Sequence, residues 1–138
     1  FIGGADMFVH ECTVFNVVYN KEKRLEELST AHIYGVHWED NKSVNVVKSG
    51  MSDADKVEIY IPMSAKTDKK YKQPKEFEKN SDGCFTLRPG DMIVKGIVEY
   101  KGAVAKLSNE FDNSAVITSV DTFDYGKQNM KYWKVSGK

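Results

Sequence analysis

Cysteine, proline and histidine are all scarce in this chain, and it carries no net charge. Two cysteines, Cys12 and Cys84, cannot build the dense disulfide framework of a small secreted domain. Both sit in strand-like runs beside apolar neighbours, Val14 and Phe15 for one and Phe85 and Leu87 for the other. A single bridge between them stays open, but those surroundings favour reduced thiols packed as small hydrophobes. Of the three histidines, His32 and His37 are five apart in an extended run and point to opposite faces. His10 could approach them across strands, but no cysteine pair or ligand-like acidic spacing accompanies it. No metal and no cofactor is expected. Twenty basic residues balance twenty acidic ones, so nothing global steers the protein onto nucleic acid or an anionic membrane. No apolar run approaches the roughly 20 residues that span a bilayer, and no membrane partner is expected.

Catalytic signatures are missing too. There is no nucleophile turn of the G-x-S-x-G kind and no glycine-rich phosphate loop. Asp121 and Asp124, after a strand-like run, come nearest to a carboxylate pair, and a solvated turn is much the favoured reading of them. The chain therefore reads as a binding protein, not an enzyme.

What is present is alternation. Residues 8–19 alternate Cys12, Val14 and Asn16 with Thr13, Phe15, Val17 and Tyr19, the period of a strand. A charged turn follows at residues 20–24, then a return strand or short helical turn at 25–29. Residues 30–39 place Thr30, His32, Tyr34, Val36 and Trp38 on one face, with Gly35 suggesting a bulge. Strands are expected at 42–48 and 56–63, with a turn at 52–55 between them. In the second, Val57, Ile59, Ile61 and Met63 form the apolar face. Each proline marks a boundary: Pro62 an edge or strand end, Pro74 a helix start, Pro89 a tight turn with Gly90 and Asp91. Further strands are expected from Cys84 and over 92–100, 114–123 and 130–136, with an amphipathic helix at 103–111. The sum is a mainly β fold, a small antiparallel barrel or sandwich of about seven to nine short strands with one or two short helices. A single domain spans residues 7–138, which suits a chain of 138 residues. Residues 1–6 read as an expression remnant or a disordered N-terminus, with Met7 as the natural start.

Residues 64–81 differ in character. This Lys-rich stretch reads as a loop within the domain, and Lys66, Lys69, Lys70, Tyr71, Lys72, Lys75, Phe77 and Lys79 form its candidate interaction surface. The lysines could meet phosphates, and Tyr71 and Phe77 could stack on bases. A solvating, merely tolerated insertion is the alternative. Trp38, Tyr132 and Trp133 are candidate interface anchors or core residues, with core packing favoured for at least two of them.

The order of several short motifs carries a resemblance. Met7-Phe8-Val9-His10-Glu11-Cys12-Thr13-Val14-Phe15-Asn16 is followed by Ile33-Tyr34-Gly35-Val36-His37-Trp38, Ser52-Asp53-Ala54-Asp55 and Ile59-Tyr60-Ile61-Pro62. Then come Gly90-Asp91-Met92-Ile93-Val94-Lys95-Gly96, Ile117-Thr118-Ser119-Val120-Asp121 and Tyr132-Trp133-Lys134-Val135-Ser136-Gly137-Lys138. The chain resembles an uncharacterised family of small proteins from tailed phages and prophages of Gram-positive bacteria. More loosely, its layout is similar to head–tail connector (stopper or adaptor) proteins. The Lys-rich insertion and the helix near Ala103 depart from that pattern.

The resemblance implies a structural or assembly protein that contacts portal, tail or neck neighbours and forms a homo-oligomeric ring near DNA. It would act in the bacterial host cytoplasm during assembly, and in the virion if it is retained. An oligonucleotide-binding barrel and an enzyme without a recognisable motif are the competing readings.

Overall fold

The computed structural model describes residues 8–40, 57–124, 126 and 131–138. The strand expected at 42–48, the turn at 52–55 and most of the turn at 125–127 lie outside the described residues. The chain begins with a long hairpin of β1 (His10–Asn20) and β2 (Leu25–Asp40), paired from His10–Val36 through to Asn20–Leu25. Its charged tip is shaped by Asn20, whose side-chain oxygen accepts from the backbone N–H groups of Glu22 and Lys23 at 3.0 and 3.1 Å. An Asx turn of this kind lets a short polar side chain replace a backbone partner.

There follow β3 (Val57–Pro62), β4 (Lys66–Thr67), β5 (Lys70–Tyr71), helix α1 (Pro74–Lys79), β6 (Cys84–Phe85) and β7 (Met92–Lys95). A 3-10 helix (Val104–Asn109), β8 (Ser114–Phe123) and β9 (Tyr132–Gly137) complete the chain. The main sheet runs β1-β7-β8-β9-β3-β2, and β2 returns to β1, so six antiparallel strands close on themselves. Closure removes the sheet edges that would otherwise invite pairing with other chains, except where β7 stops short of the end of β1. The fold is a closed barrel with short additional strands: β4 adds to β2, and β5 and β6 form a two-stranded parallel pair.

Alternation decides what fills the barrel. Val57, Ile59 and Ile61 of β3, Trp133 and Val135 of β9, and Cys12 and Val14 of β1 are all buried in one cluster. Interior positions of a small barrel are filled by side chains in this way. Pro62 is the last residue of β3, where its missing N–H costs least. Cys12 and Cys84 are both free and buried, and burial pushes the Cys12 thiol up, as expected of an inert structural cysteine.

The face assigned to β2 needs correction. Ala31 and Ile33 are buried in its first half, whereas Val36 and Trp38 are buried in its second. His32 is half-buried and Tyr34 exposed, so Thr30, His32 and Tyr34 do not share a face with Trp38. Gly35 causes the switch. It adopts φ +82°, and the β1–β2 register slips beside it, between His10 and Glu11. One extra residue in a strand inverts the inward phase of everything after it.

β1 is buried on both faces from Cys12 to Asn16, because a second cluster covers its outer side. Phe15, Val94 and Leu107 form that cluster, with Tyr100 and Phe111 packed against it. The strand expected over 92–100 therefore stops at Lys95. The Thr13 hydroxyl donates to the Gly96 carbonyl at 2.7 Å and accepts from the Val98 N–H at 3.1 Å. This tie lays residues 96–111 across the outside of the barrel. The helix expected at 103–111 is the 3-10 helix, with Leu107 buried beneath it.

Candidate functional site

A buried polar network links β1 to the turn before β7. Pro89 and Gly90 occupy the middle of that turn, with Gly90 at φ +97° and the Asp91 N–H donating to the Arg88 carbonyl at 3.4 Å. Proline followed by a positive-φ glycine is the signature of a type II turn. The turn sets Arg88 and Asp91 side by side, and Arg88 Nε donates to Asp91 Oδ2 at 2.7 Å. The same oxygen accepts from Asn16 Nδ2 at 2.7 Å, while Asp91 Oδ1 accepts from the Val17 N–H at 3.3 Å. Asn16 is fully buried and holds the Thr86 backbone at both ends of its amide, donating at 2.9 Å and accepting at 3.1 Å. The second guanidinium arm of Arg88 donates to the Val17 carbonyl.

This network replaces a missing strand. β7 pairs with β1 only from Cys12 to Phe15. Beyond that point the N–H and C=O of Val17 turn away from β2 and are satisfied by side chains. Backbone direction alternates along a strand, so the N–H and C=O of Tyr19 face the same side. Arg88 and Asp91 do not reach that far, and among the described residues the β1 edge is open there.

A groove of about 320 Å³ lies along this edge, between residues 17–21 at the end of the first hairpin arm and helix α1. Val17 and Tyr19 line one side, Phe77 and Glu78 the other, and Arg88 and Lys21 supply the positive charge. Arg88 rests over the Phe77 ring, 5.4 Å from its centroid, and its free arm approaches a mostly exposed Glu78 carboxylate at only 4.0 Å. Tyr19 is 58% exposed, the largest aromatic surface on the hairpin.

The eight residues singled out between Lys66 and Lys79 divide into two groups, in a segment that holds the helix expected from Pro74 and two strands of two residues each. The segment is ordered by β4, β5 and α1. Phe77 is buried and Tyr71 half-buried, with the Tyr71 ring 4.4 Å from that of Trp133 and 5.6 Å from that of Phe85. Burial raises the Tyr71 hydroxyl pKa. These rings anchor the segment to the barrel and are not presented for stacking on bases. Lys69 donates to Ser29 Oγ and Lys72 to the Asn80 carbonyl. Lys66, Lys70, Lys75 and Lys79 remain exposed. Asp124 pairs with Lys131 at 3.3 Å, and Asp121 stands opposite Lys134 in register.

Aromatic rings cross the outer wall of the barrel from strand to strand. His10 and His37 lie 5.9 Å apart, His37 and Tyr60 5.8 Å, Tyr60 and Tyr132 6.0 Å, and Tyr132 stacks on Phe123 at 4.7 Å. Trp38 and Trp133 are core residues, and Tyr132 is half-buried on this wall. Beside it Lys134 bonds Glu58 at 2.9 Å, and that bond raises the lysine pKa.

The two histidines do meet, but His10 Nδ1 accepts from the Trp38 N–H at 3.1 Å. Its other nitrogen then carries the proton in the neutral ring and has no lone pair for a metal. Desolvation, helped by Lys95 and His37, lowers the His10 pKa from its usual 6.5. The unfolded chain therefore binds more protons just below that value, and stability rises with pH until it levels off above about 6.5. Melting temperature should fall as the pH drops through this window. His10→Asn, which keeps an acceptor for Trp38 without a titrating ring, should flatten that limb. Parallel melting curves for the two proteins would show that His10 contributes nothing.

No curated protein and no solved structure matches the chain. One family model does, over residues 7–138, and by that match the chain belongs to the Family of unknown function (DUF6751).

Proposed function

We propose that this protein is a structural or assembly component of a tailed phage or prophage, a head–tail connector that acts through protein–protein contacts. The observation that carries this reading is the arrangement of the barrel around its long first hairpin. The Gly90–Lys95 and Ile117–Asp121 motifs belong to neighbouring strands, β7 and β8, paired at Met92–Val116. The β1–β2 hairpin ends in exposed Tyr19 and Leu25 beside the groove. The first hairpin and the closing strand pair are what the resemblance implies for a ring component of the phage neck, and the Lys-rich insertion departs from that layout. In such a ring the hairpin, the groove and the exposed lysines of residues 66–79 would meet portal, tail or sister subunits. The host cytoplasm is the place of assembly under this reading, and channel DNA would meet the lysines without sequence preference.

The aromatic wall gives an oligonucleotide-binding reading its one specific support. Stacking platforms pair aromatics with cationic tracks for the phosphates. Here the rings stack on one another, and Glu39, Glu58 and Asp121 share their strands, with the nearby Lys134 already bonded to Glu58. The protein-binding reading fits this chemistry better.

Light scattering on the protein alone, then mixed with portal and tail proteins from the same gene cluster, tests the proposal. A ring or a stable complex is the expected result. A strict monomer that ignores both neighbours overturns it.

A further inference from the structure

We propose that the open edge of β1 at Tyr19 takes up an extended segment of a partner protein, by β-addition, and that an acidic side chain of this segment pairs with Arg88. The proposal rests on the reading of the protein as a binding component and names the chemistry of what it binds.

Three features converge on that occupant. The first is the backbone. The N–H and C=O of Val17 are satisfied by Asp91 and Arg88, whereas those of Tyr19 point the same way past the end of β7. Main-chain groups in this position recruit an added strand, which supplies affinity through the ladder and specificity through alternate side chains. The second is shape. Helix α1 walls the far side of the groove, leaving about 320 Å³. An added strand would lie about 4.8 Å from β1, on the side where helix α1 stands in the way of a second sheet. A sister copy pairing edge to edge would bring its own β2 and α1 into that wall.

The third is charge. Lys21 and Arg88, whose charge is already shared with the buried Asp91 at 2.7 Å, face the groove, with Glu78 as the carboxylate among its described lining residues. Arg88 has one arm that is held only loosely, with its NH1 nitrogen 4.0 Å from a Glu78 side chain that is 63% exposed. Its other two contacts, to Asp91 and to Val17, fix the guanidinium plane. Glu78 thus occupies the place of an incoming carboxylate and can swing into solvent at little cost. A fixed guanidinium with a weakly held partner suits capture of a carboxylate better than of a neutral group. Tyr19 and the half-buried Val17 offer apolar surface to the residues flanking that acid.

A random heptapeptide library selected on the whole protein tests this. Recovered peptides should carry Asp or Glu flanked by β-branched or aromatic residues at alternate positions. Changing that acid to lysine should weaken binding about tenfold, as attraction turns to repulsion. Glu78→Gln, at an exposed position, should strengthen binding about threefold by removing the competing carboxylate. Tyr19→Pro should abolish binding, because it removes the outward N–H while leaving the β1–β2 ladder in place. Peptides without acid enrichment, an unchanged affinity in Glu78→Gln, or an empty selection would each overturn the proposal. A ring or a portal complex in light scattering together with an empty selection removes this docking mode alone. A monomer with acid-bearing peptides recovered removes the connector reading and keeps the groove.

Discussion

Asp91→Ala is expected to lower stability by about 3 kcal/mol or more, and the melting temperature by about 10 °C. The cost comes from the partners left behind. Asp91 is 3% exposed and accepts from Asn16, Val17 and Arg88, all deep in the wall between β1 and β7. Truncation leaves three donors without acceptors, one of them on a guanidinium with little access to water. The diagnostic variant is Asp91→Asn. An amide has the same shape, but Oδ2 already receives two donors and Oδ1 a third. Whichever way the amide turns, its NH₂ group faces another donor. Asparagine should therefore rescue little, and thermal melts of both variants measure this. If Asp91→Asn is nearly as stable as the parent, the carboxylate is not the hub described above. Val17 would lose the acceptor of its N–H as well, and Arg88 the carboxylate that fixes its guanidinium beside the groove.

Phe15→Ala should cost about 3–5 kcal/mol, with the damage concentrated outside the barrel. Phe15 is fully buried, yet it points away from the lumen. Its ring meets Tyr100 edge-on at 6.4 Å and stacks with Phe111 at 6.4 Å, and those two rings meet each other at 6.3 Å. Removing the central ring leaves Leu107 and Phe111 over a void, and residues 96–111 lose their main apolar anchor. The Thr13 bonds, the Gly96 N–H to the Glu11 carbonyl at 2.7 Å, the Ser114 hydroxyl to the Phe111 carbonyl at 3.1 Å and the contact of His32 Nε2 with the Val98 carbonyl would still tether the segment. Hydrogen exchange should accelerate across residues 96–111 well before it does in β3 and β9. Uniform acceleration across the whole chain would show instead that this layer and the barrel unfold as one unit.

Much of the wall was legible along the chain. β3 and the early part of β8 alternate cleanly because each has one face on the core and one toward water. Pro74 starts α1, and the Pro89-Gly90-Asp91 turn forms where its residues require it. Two features defeated the pattern. Residues 12–16 of β1 are covered on both sides, so period-2 reasoning saw one face where there are two. Gly35 was recognised as a bulge site, but its consequence, a reversed inward phase, depends on which neighbour slips.

The groove was less legible still. Asn16 within an apolar strand is the one local signal, a polar residue where the pattern asks for a hydrophobe. Asp91 reads as an ordinary turn residue until the fold brings it against a segment about 75 positions earlier. Phe77 looks solvent-facing in a lysine-rich stretch, and only the return of Arg88 above it explains its burial.

By itself the sequence determined a mainly β fold, the turns at Asn20 and at Pro89-Gly90, and the apolar faces of its best strands. These are local properties, written in alternation and in the chemistry of proline, glycine and asparagine. Only the tertiary structure decided that β2 returns to β1 to close a barrel, that residues 96–111 clothe its outside, and that β7 ends short of Tyr19. Those outcomes depend on contacts between distant segments, where shape and hydrogen-bond satisfaction act across the fold and leave no periodic trace in the chain.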